Sequence, residues 1–178
     1  VRMLLHAVAF GNLKLLAPYK NLEAPKLARE KLAREARLSQ DHMDRIIGEA
    51  FSEGFDALYP LTDDSDDYNN RLFLEKEDFT RTLHAMGFNI VEWAQDILNR
   101  DIFASDARVL SLTSEGNRVA WRGYAAVAAA KSVLESVSRA MARELAPYGI
   151  RSNVVQAGIT DTPALQAIPG NKRMRARA

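Results

Sequence analysis

A tyrosine and a lysine seven residues apart are the side chains of this sequence best suited to chemistry. Tyr124 and Lys131 bound the segment Tyr-Ala-Ala-Val-Ala-Ala-Ala-Lys. Because seven residues make about two turns of an α-helix, both side chains can lie on one helix face. A nearby ammonium favours the phenolate and lowers the pKa of a tyrosine from about 10. We therefore predict that Lys131 lowers the pKa of Tyr124, which can then donate a proton to an oxygen that gains charge during reduction.

The elements that must position this pair alternate along the chain. Short apolar runs predict strands, the first of them buried on both faces, and longer amphipathic runs predict helices. The strands are 3–9, 107–112 and 150–156, and the helices are 75–99 and 119–146. Such alternation is typical of a parallel sheet with right-handed crossovers, so the three strands should lie side by side. The pair then lies near the carboxyl edge of the sheet, where ligands bind.

Composition argues against several classes of function. The 178 residues include 24 Lys plus Arg and 23 Asp plus Glu, so no excess charge favours a nucleic acid or an anionic membrane as partner. With no cysteine and three histidines, we predict no metal site. No apolar run approaches the roughly 20 residues of a membrane span. These features predict a cytoplasmic protein.

Residues 20–75 are predicted to form a helical insertion. The sequence Lys-Leu-Ala-Arg-Glu occurs twice within 26–37 and sets opposite charges four residues apart, as on an exposed helix. Ser39 is the predicted N-cap of a second helix, whose apolar side chains follow helical spacing. These side chains are Met43, Ile46, Ile47, Ala50 and Phe51.

The surroundings of the tyrosine and the lysine resemble the short-chain dehydrogenase/reductase superfamily. The resemblance is carried by Leu-Thr-Ser-Glu-Gly at 112–116, by Tyr124 and Lys131, and by the segment 149–164. Six residues between the tyrosine and the lysine are similar to the enoyl-acyl carrier protein reductase branch, since most other members have three. The run Leu-Leu-His-Ala-Val-Ala-Phe at 4–10 is also similar to that branch.

The resemblance covers residues 1–10 and 79–167 and implies an α/β fold, part of a Rossmann-type doubly wound parallel sheet. The three strands would be strands 4 to 6 of the family's sheet, in a single partial domain 1–178 that carries the insertion 20–75. The family's glycine-rich phosphate-binding turn is absent, because the nine glycines include no such cluster. We therefore expect a fragment that lacks the first half of the nucleotide-binding fold and is itself inactive.

The resemblance also implies a cofactor and individual residue roles. The protein would be an oxidoreductase of fatty acid biosynthesis that uses NAD or NADP and reduces an enoyl thioester. Tyr124 and Lys131 would be the catalytic pair, and Lys131 would also bind the nicotinamide ribose. The rest of the cofactor would be held by Ala7, Val8, Ala9, Thr113, Ile159, Thr160 and Thr162.

Ser114 departs from the enoyl reductase pattern, which usually carries a second tyrosine ten residues before the catalytic one. A serine is similar to the ketone-reducing members, whose hydroxyl binds the substrate carbonyl, so Ser114 is a third predicted catalytic residue. Ser114 and Thr113 can instead merely cap the strand end. Two further functions therefore stay open, a 3-oxoacyl or other ketone reductase and a non-catalytic interaction domain that reuses the fold.

The alanine-rich helix at 119–146 bears on assembly. The family uses this helix and the preceding one for dimer contacts, so the resemblance implies a homo-oligomer, a dimer or a tetramer. Small side chains let another helix approach closely, and the same side chains can instead pack on the sheet. They are Ala125, Ala126, Ala128, Ala129 and Ala130.

Overall fold

The computed structural model describes residues 1–20, 23–53, 55–61, 68 and 73–176. The other parts of the predicted insertion 20–75 lie outside the described residues. The chain divides into two compact units. The first unit comprises Val1–Leu16 and Phe73–Gly158, and the second comprises Ala17–Leu72 and Ile159–Ala178.

Helices occur in both units. They are α1 (Glu23–Ala36), α2 (Gln40–Ser52), α3 (Lys76–Leu83), α4 (Asn89–Asn99), α5 (Ala125–Glu144), α6 (Pro163–Gln166) and α7 (Asn171–Ala176). Short 3-10 turns lie at Asp56–Leu61, Glu115–Asn117 and Ala146–Tyr148.

The first unit contains a parallel sheet of three strands in the order β1-β2-β3. These strands are β1 (Met3–His6), β2 (Ala107–Thr113) and β3 (Ile150–Gln156). The predicted parallel order is confirmed, because Leu4 pairs with Val109 on β2 and Val109 pairs with Ser152 on β3. The bounds of β3 are as predicted, and β2 is one residue longer than predicted.

The first strand differs from its prediction in length and in burial. It ends at His6, three residues before the predicted end. Met3 and Leu5 are 57% and 46% exposed, whereas His6 is fully buried. Because successive side chains of a strand point to opposite faces, His6 lies on the helix-covered face of the sheet and Met3 and Leu5 lie on an open one. The prediction that both faces of this strand are buried was therefore wrong.

The predicted helix 75–99 is interrupted by a π-helical turn at His84–Phe88. Such turns hold one residue more than an α-helical turn and therefore rotate the buried face. Here Met86 and Gly87 become buried. A β-carbon on Gly87 would lie 2.7 Å from the carbonyl oxygen of Ala130, so only glycine allows this close approach to α5.

The core of the first unit lies between the sheet and the helices α4 and α5. Residues of β2 alternate between buried and half-buried positions, as expected for a strand with one face against helices. Fully burying a side chain such as Ile90 or Leu134 contributes about 1.5–3 kcal/mol. The buried cluster comprises Ile90, Ala94, Ala107, Val109, Leu134, Met141, Leu145 and Ile150.

Helix α5 begins at Ala125, six residues after its predicted start. Gly123 has a φ of 73°, a left-handed conformation that suits glycine and breaks the helical pattern there. Ala126 and Ala130 are 1% and 0% exposed, so these alanines pack within the unit. The homo-oligomer stays a prediction, which sedimentation of the protein at micromolar concentration can test.

The second unit confirms the two helices predicted for the insertion. Ser39 is the N-cap of α2, and its hydroxyl accepts a hydrogen bond from the amide of His42 at 3.3 Å. Ile46, one of the apolar side chains that follow helical spacing, is 40% exposed. The buried cluster between these helices comprises Ala33, Met43 and Ile47, with Leu38, Leu58 and Leu61 packed against it.

Candidate active site

The end of β2 and the first two turns of α5 bring four of the predicted site residues into one corner of the first unit. Thr113 is the last residue of β2, and Ser114 follows it directly. A 3-10 turn at Glu115–Asn117 and a short loop lead to Tyr124, the N-cap residue of α5. Lys131 lies on the buried face of that helix, toward the sheet.

Lys131 is a buried cation held by a main-chain carbonyl. Its side chain is 7% exposed, and Nζ donates a hydrogen bond to the carbonyl oxygen of Leu112 at 2.8 Å. Within the described part of the chain, no carboxylate forms an ion pair with it. Burial in a less polar medium disfavours the charged form and lowers the pKa of Lys131 to about 8.

The phenol of Tyr124 differs from its prediction in both place and pKa. Tyr124 is the N-cap residue of α5, one position before the first helical residue, Ala125. Burial raises the pKa of Tyr124, and the hydroxyl of Ser114 acts weakly in the opposite direction. The prediction that Lys131 lowers the pKa of Tyr124 was therefore wrong, because desolvation dominates and the Lys131 ammonium is directed to Leu112. Tyr124 is consequently a protonated hydrogen-bond donor at neutral pH.

A glycine and a serine form the surroundings of the Tyr124 ring. A β-carbon on Gly116 would lie 2.4 Å from Cε1 of Tyr124, so the ring rests directly on the glycine backbone. The hydroxyl of Ser114 is buried and makes no hydrogen bond of ordinary geometry within the described residues. An unpartnered buried hydroxyl is unfavourable in a resting protein, and it can be satisfied by a ligand oxygen.

Glu135 and Asn117 also belong to this corner, and the sequence reasoning missed both. The Glu135 carboxylate accepts hydrogen bonds from the Thr113 hydroxyl at 2.9 Å and from the Asn117 amide nitrogen. The only signal in the sequence is that Glu135 follows Lys131 by one helical turn. The hydroxyl of Thr113, predicted to bind cofactor, is directed to this carboxylate.

The segment after β1 lies beside the helices of the same unit. Val8 is half-buried and packs in a cluster with Met86, Val127 and Ala130. Ala7 and Ala9, which flank it, are exposed. These three residues are therefore accessible next to the N-terminal part of α5, and their cofactor-binding role stays a prediction.

His6 forms a buried polar contact at the end of β1. Its Nε2 lies 2.5 Å from Oδ1 of Asn89, and its ring meets that of Trp93 edge-on at 5.8 Å between centroids. Burial lowers the pKa of His6, and the charge of Lys131 acts in the same direction. The imidazole is therefore uncharged at neutral pH and fastens β1 to the first turn of α4.

The other predicted cofactor residues belong to the second unit. The hydroxyl of Thr162 caps α6 and accepts a hydrogen bond from the amide of Leu165 at 3.1 Å. Ile159 is half-buried and Thr160 is exposed. The cofactor-binding roles of Ile159, Thr160 and Thr162 stay predictions.

A polar cleft of about 320 Å³ opens between α5 and β3. Thr113 and Glu135 of the corner border this cleft, whereas Tyr124 and Lys131 do not. Its other lining residues are Arg118, Ser138, Arg139, Ala142, Ser152, Asn153, Val154 and Gln156.

Neither a candidate metal site nor a candidate membrane span occurs among the described residues. No three His, Cys, Asp or Glu side chains among them cluster in a way that could hold a metal ion. Within the same ranges, no helix is both long enough and apolar enough to span a membrane.

Comparison with known proteins matches the part of the chain that carries this corner. The sequence model of the family described as enoyl-(acyl carrier protein) reductase matches residues 65–178, which include Ser114, Tyr124 and Lys131. The enoyl-[acyl-carrier-protein] reductase [NADH] of Mycolicibacterium smegmatis is 34% identical over 94 residues, 53% of this chain and 34% of that protein.

A second curated relative has a different described role. The cyclic-di-GMP-binding biofilm dispersal mediator protein of Escherichia coli is 45% identical over 69 residues, 38% of this chain and 28% of that protein. The chain thus spans about a third of the length of the curated relatives it matches.

Solved structures share the fold. The enoyl-[acyl-carrier-protein] reductase (NADH) of Aquifex aeolicus has a TM-score of 0.51 at 24% identity, over 57% of this chain and 39% of that one. The Bacillus cereus enoyl-acyl carrier protein reductase, solved with NADP+ and indole naphthyridinone, has a TM-score of 0.51 at 21% identity, over 56% and 38%. These similarities confirm the partial Rossmann-type sheet.

Proposed function

The chain belongs to the enoyl-(acyl carrier protein) reductase family, and we propose that the protein reduces an enoyl thioester with NADH or NADPH. The observation that carries the proposal is the corner at the end of β2. There a buried Lys131 without an acidic partner and a protonated Tyr124 lie in one segment with the Ser114 hydroxyl, which acts on the phenol and has no other partner within the described residues. The reductase of M. smegmatis, which matches over 94 residues and is described as using NADH, supports the same reaction.

The residues of this corner fit the nicotinamide half of a dinucleotide. The Lys131 ammonium gives one hydrogen bond to Leu112. An ammonium has three donors, so two remain for a ribose hydroxyl. Ala7, Val8 and Ala9 in the first unit, and Ile159, Thr160 and Thr162 in the second, are the other proposed contacts. The chain has no glycine-rich turn for the pyrophosphate, and we assign no residue to it.

Tyr124 is proposed to stabilise the oxygen of the thioester. The bound dinucleotide supplies the hydride that adds to the carbon–carbon double bond. Charge then develops on the thioester carbonyl oxygen, and a neutral phenol can donate a hydrogen bond or a proton to it. Because burial raises the pKa of Tyr124, the phenol keeps its proton at neutral pH. Partial burial also strengthens such a hydrogen bond.

Reduction of a ketone, such as a 3-oxoacyl thioester, is the second candidate. It is favoured by the Ser114 hydroxyl, which lies next to the phenol and has no other hydrogen-bond partner within the described residues. Two hydroxyl donors can bind one carbonyl oxygen, the arrangement that ketone reduction requires. We place the enoyl reaction first, because the family and the curated relative both carry that description.

The test is a comparison of two substrates. The full-length protein is given a crotonyl or an acetoacetyl thioester with NADH or NADPH, and cofactor oxidation is followed by absorbance. We expect turnover of the crotonyl thioester. Turnover of the acetoacetyl thioester alone would establish the ketone reductase. If neither is reduced and calorimetric titration shows no dinucleotide binding, the non-catalytic interaction domain is the correct alternative.

A further inference from the structure

The Glu135 carboxylate is bound to both ends of one short segment. Its Oε1 accepts from the Thr113 hydroxyl and from the Asn117 side-chain amide. Hydrogen bonds to a charged acceptor are stronger than those between neutral groups. Because these donors flank residues 114–116, α5 holds that segment from both sides.

The same segment provides the neighbours that define the position of the Tyr124 ring. The ring rests on the backbone of Gly116, and the Ser114 hydroxyl acts on the phenol. Tyr124 itself is the N-cap residue of α5: its carbonyl accepts from the Ala128 amide, and its side chain makes no capping hydrogen bond. A shift of residues 114–116 would therefore displace the surface on which the ring lies.

Lys131 lies one helical turn before Glu135, and the two side chains form no ion pair within the described residues. Residues four apart on a helix face each other, so Glu135 is placed to pair with the ammonium of Lys131. That ammonium instead donates to the carbonyl of Leu112. The carboxylate thus serves the segment after β2 and leaves the cation of Lys131 unneutralised.

We propose that Glu135 is a positioning residue that holds the segment Thr113–Asn117, and through it Tyr124, in place. Its effect on the ring follows from the contacts alone. Its effect on turnover rests on the proposed function. The two effects are therefore measured separately.

The first experiment observes Tyr124 without any substrate. The protein is labelled with isotope at the tyrosine Cζ, and the Tyr124 resonance is assigned by its loss in Tyr124→Phe. In Glu135→Ala we expect this resonance to shift and the raised pKa of Tyr124 to fall toward its ordinary value, because a released segment admits water. The resonance of Tyr148, which is 60% exposed, should not move.

Graded variants distinguish positioning from a general loss of packing. Glu135→Gln keeps a side-chain oxygen that can accept both hydrogen bonds, so it should retain most of the wild-type signal. Asn117→Ala removes one donor from a turn outside the sheet and the long helices, so it should give an intermediate shift and stays informative if Glu135→Ala does not fold. Glu144→Ala, an exposed carboxylate on the same helix, is the matched control and should resemble the wild type.

The second experiment measures turnover of the crotonyl thioester. Misplacing a reacting group by about 1 Å costs up to about 10²-fold in rate, so Glu135→Ala should lower kcat by about 10- to 100-fold with little change in the KM for the dinucleotide. Recovery in Glu135→Gln supports the proposal. An unchanged Tyr124 resonance and pKa in both Glu135→Ala and Asn117→Ala would overturn it. If Tyr124→Phe keeps full turnover, the proposed function fails, and the resonance data still decide the role of Glu135.

Discussion

Two lysines in the first unit carry the same charge in opposite surroundings. The Nζ of Lys14 lies 2.5 Å from a carboxylate oxygen of Asp78, and both side chains are partly exposed. Lys131 is 7% exposed and donates to a carbonyl oxygen. No carboxylate in the described ranges pairs with it, and Glu135, one turn away, is directed elsewhere.

This difference distinguishes a lysine that stabilises the fold, Lys14, from one that we propose binds a ligand, Lys131. The pair of Lys14 and Asp78 fastens the segment after β1 to α3, together with a hydrogen bond from the Asn12 amide to the Thr82 hydroxyl at 3.0 Å. Burial of Lys131 without an acid is unfavourable for folding and lowers its pKa to about 8. A buried cation without a counter-ion has no structural advantage, which is why we assign Lys131 to a ligand.

The largest effect on turnover should come from substitution of Tyr124, which is proposed to contact the reacting oxygen. Tyr124→Phe removes the phenol proton and keeps the ring on Gly116, so the fold is retained. We expect turnover of the crotonyl thioester to fall by about 10²-fold, the scale of lost acid catalysis. Lys14→Met, on the structural side of the comparison, should leave turnover nearly unchanged. Equal steady-state rates in Tyr124→Phe and the wild type would refute the catalytic assignment.

The next effect is on stability and has a distinctive pH dependence. The pKa of Lys131 is about 8 in the folded protein, against 10.5 as the ordinary value. The unfolded chain therefore binds more protons between these two values, so the contribution of Lys131 to the free energy of unfolding rises with pH across that window. Below it, the full unfavourable contribution is present. Lys131→Met should consequently raise the free energy of unfolding by about 1–3 kcal/mol at neutral pH.

Denaturant unfolding of Lys131→Met at neutral pH and near pH 10 checks this prediction. The gain in stability should shrink at the higher pH, because the wild-type lysine is then largely uncharged in the folded state. The substitution should also abolish turnover. A variant that is less stable than the wild type at neutral pH would contradict the view that Lys131 is retained for binding.

Periodicity and spacing were sufficient to predict the framework around this corner. The segments of β2 and β3 alternate with predicted helices, so their positions and parallel order could be read from the sequence. Ser39 was recognisable as a cap because capping depends only on neighbouring backbone amides. The roles of Tyr124 and Lys131 were inferred from a resemblance to a family. The family match confirms the family, and the roles of the two residues stay predictions.

What the sequence could not provide depends on contacts between distant segments. The π-helical turn accompanies the close approach of Gly87 to Ala130, which no local pattern records. The raised pKa of Tyr124 reflects burial by the fold, whereas spacing alone suggested a charge effect. In the sequence, Glu135 is like any solvent-facing helix residue. Its role depends on the end of β2, which only the fold brings beside it.

A third prediction concerns the contact between the Tyr124 ring and Gly116. In Gly116→Ala the new β-carbon would lie 2.4 Å from Cε1 of Tyr124, so the ring or the turn must move. Overpacking of this kind costs about 1–3 kcal/mol. Gly48→Ala in α2 is the contrasting variant, because its β-carbon meets no atom within 4 Å and alanine favours a helix by about 1 kcal/mol. Tm should therefore fall in Gly116→Ala and rise in Gly48→Ala, and an unchanged or higher Tm in Gly116→Ala would refute the contact.

The smallest effect should come from the ion pair of Lys14 and Asp78, whose contribution to stability should be lost in acid. Hydrogen bonding to Lys14 holds the pKa of Asp78 below its ordinary 3.8. A carboxyl whose folded pKa is lowered contributes stability above its unfolded pKa, and this contribution is lost as the pH falls through the folded value. Asp78→Asn keeps an oxygen for the Glu75 amide, which binds Asp78 at 3.2 Å, and removes only the charge.

Asp78→Asn should therefore lower Tm slightly at neutral pH and flatten the loss of stability below about pH 4. Lys14→Met should reproduce the change, and the double variant should be no less stable than either single one, because both remove the same interaction. Turnover should persist throughout, in contrast to Lys131→Met. Additive effects of the two substitutions would show that Lys14 and Asp78 act separately, and the contrast between a paired and an unpaired lysine would then rest on Lys131 alone.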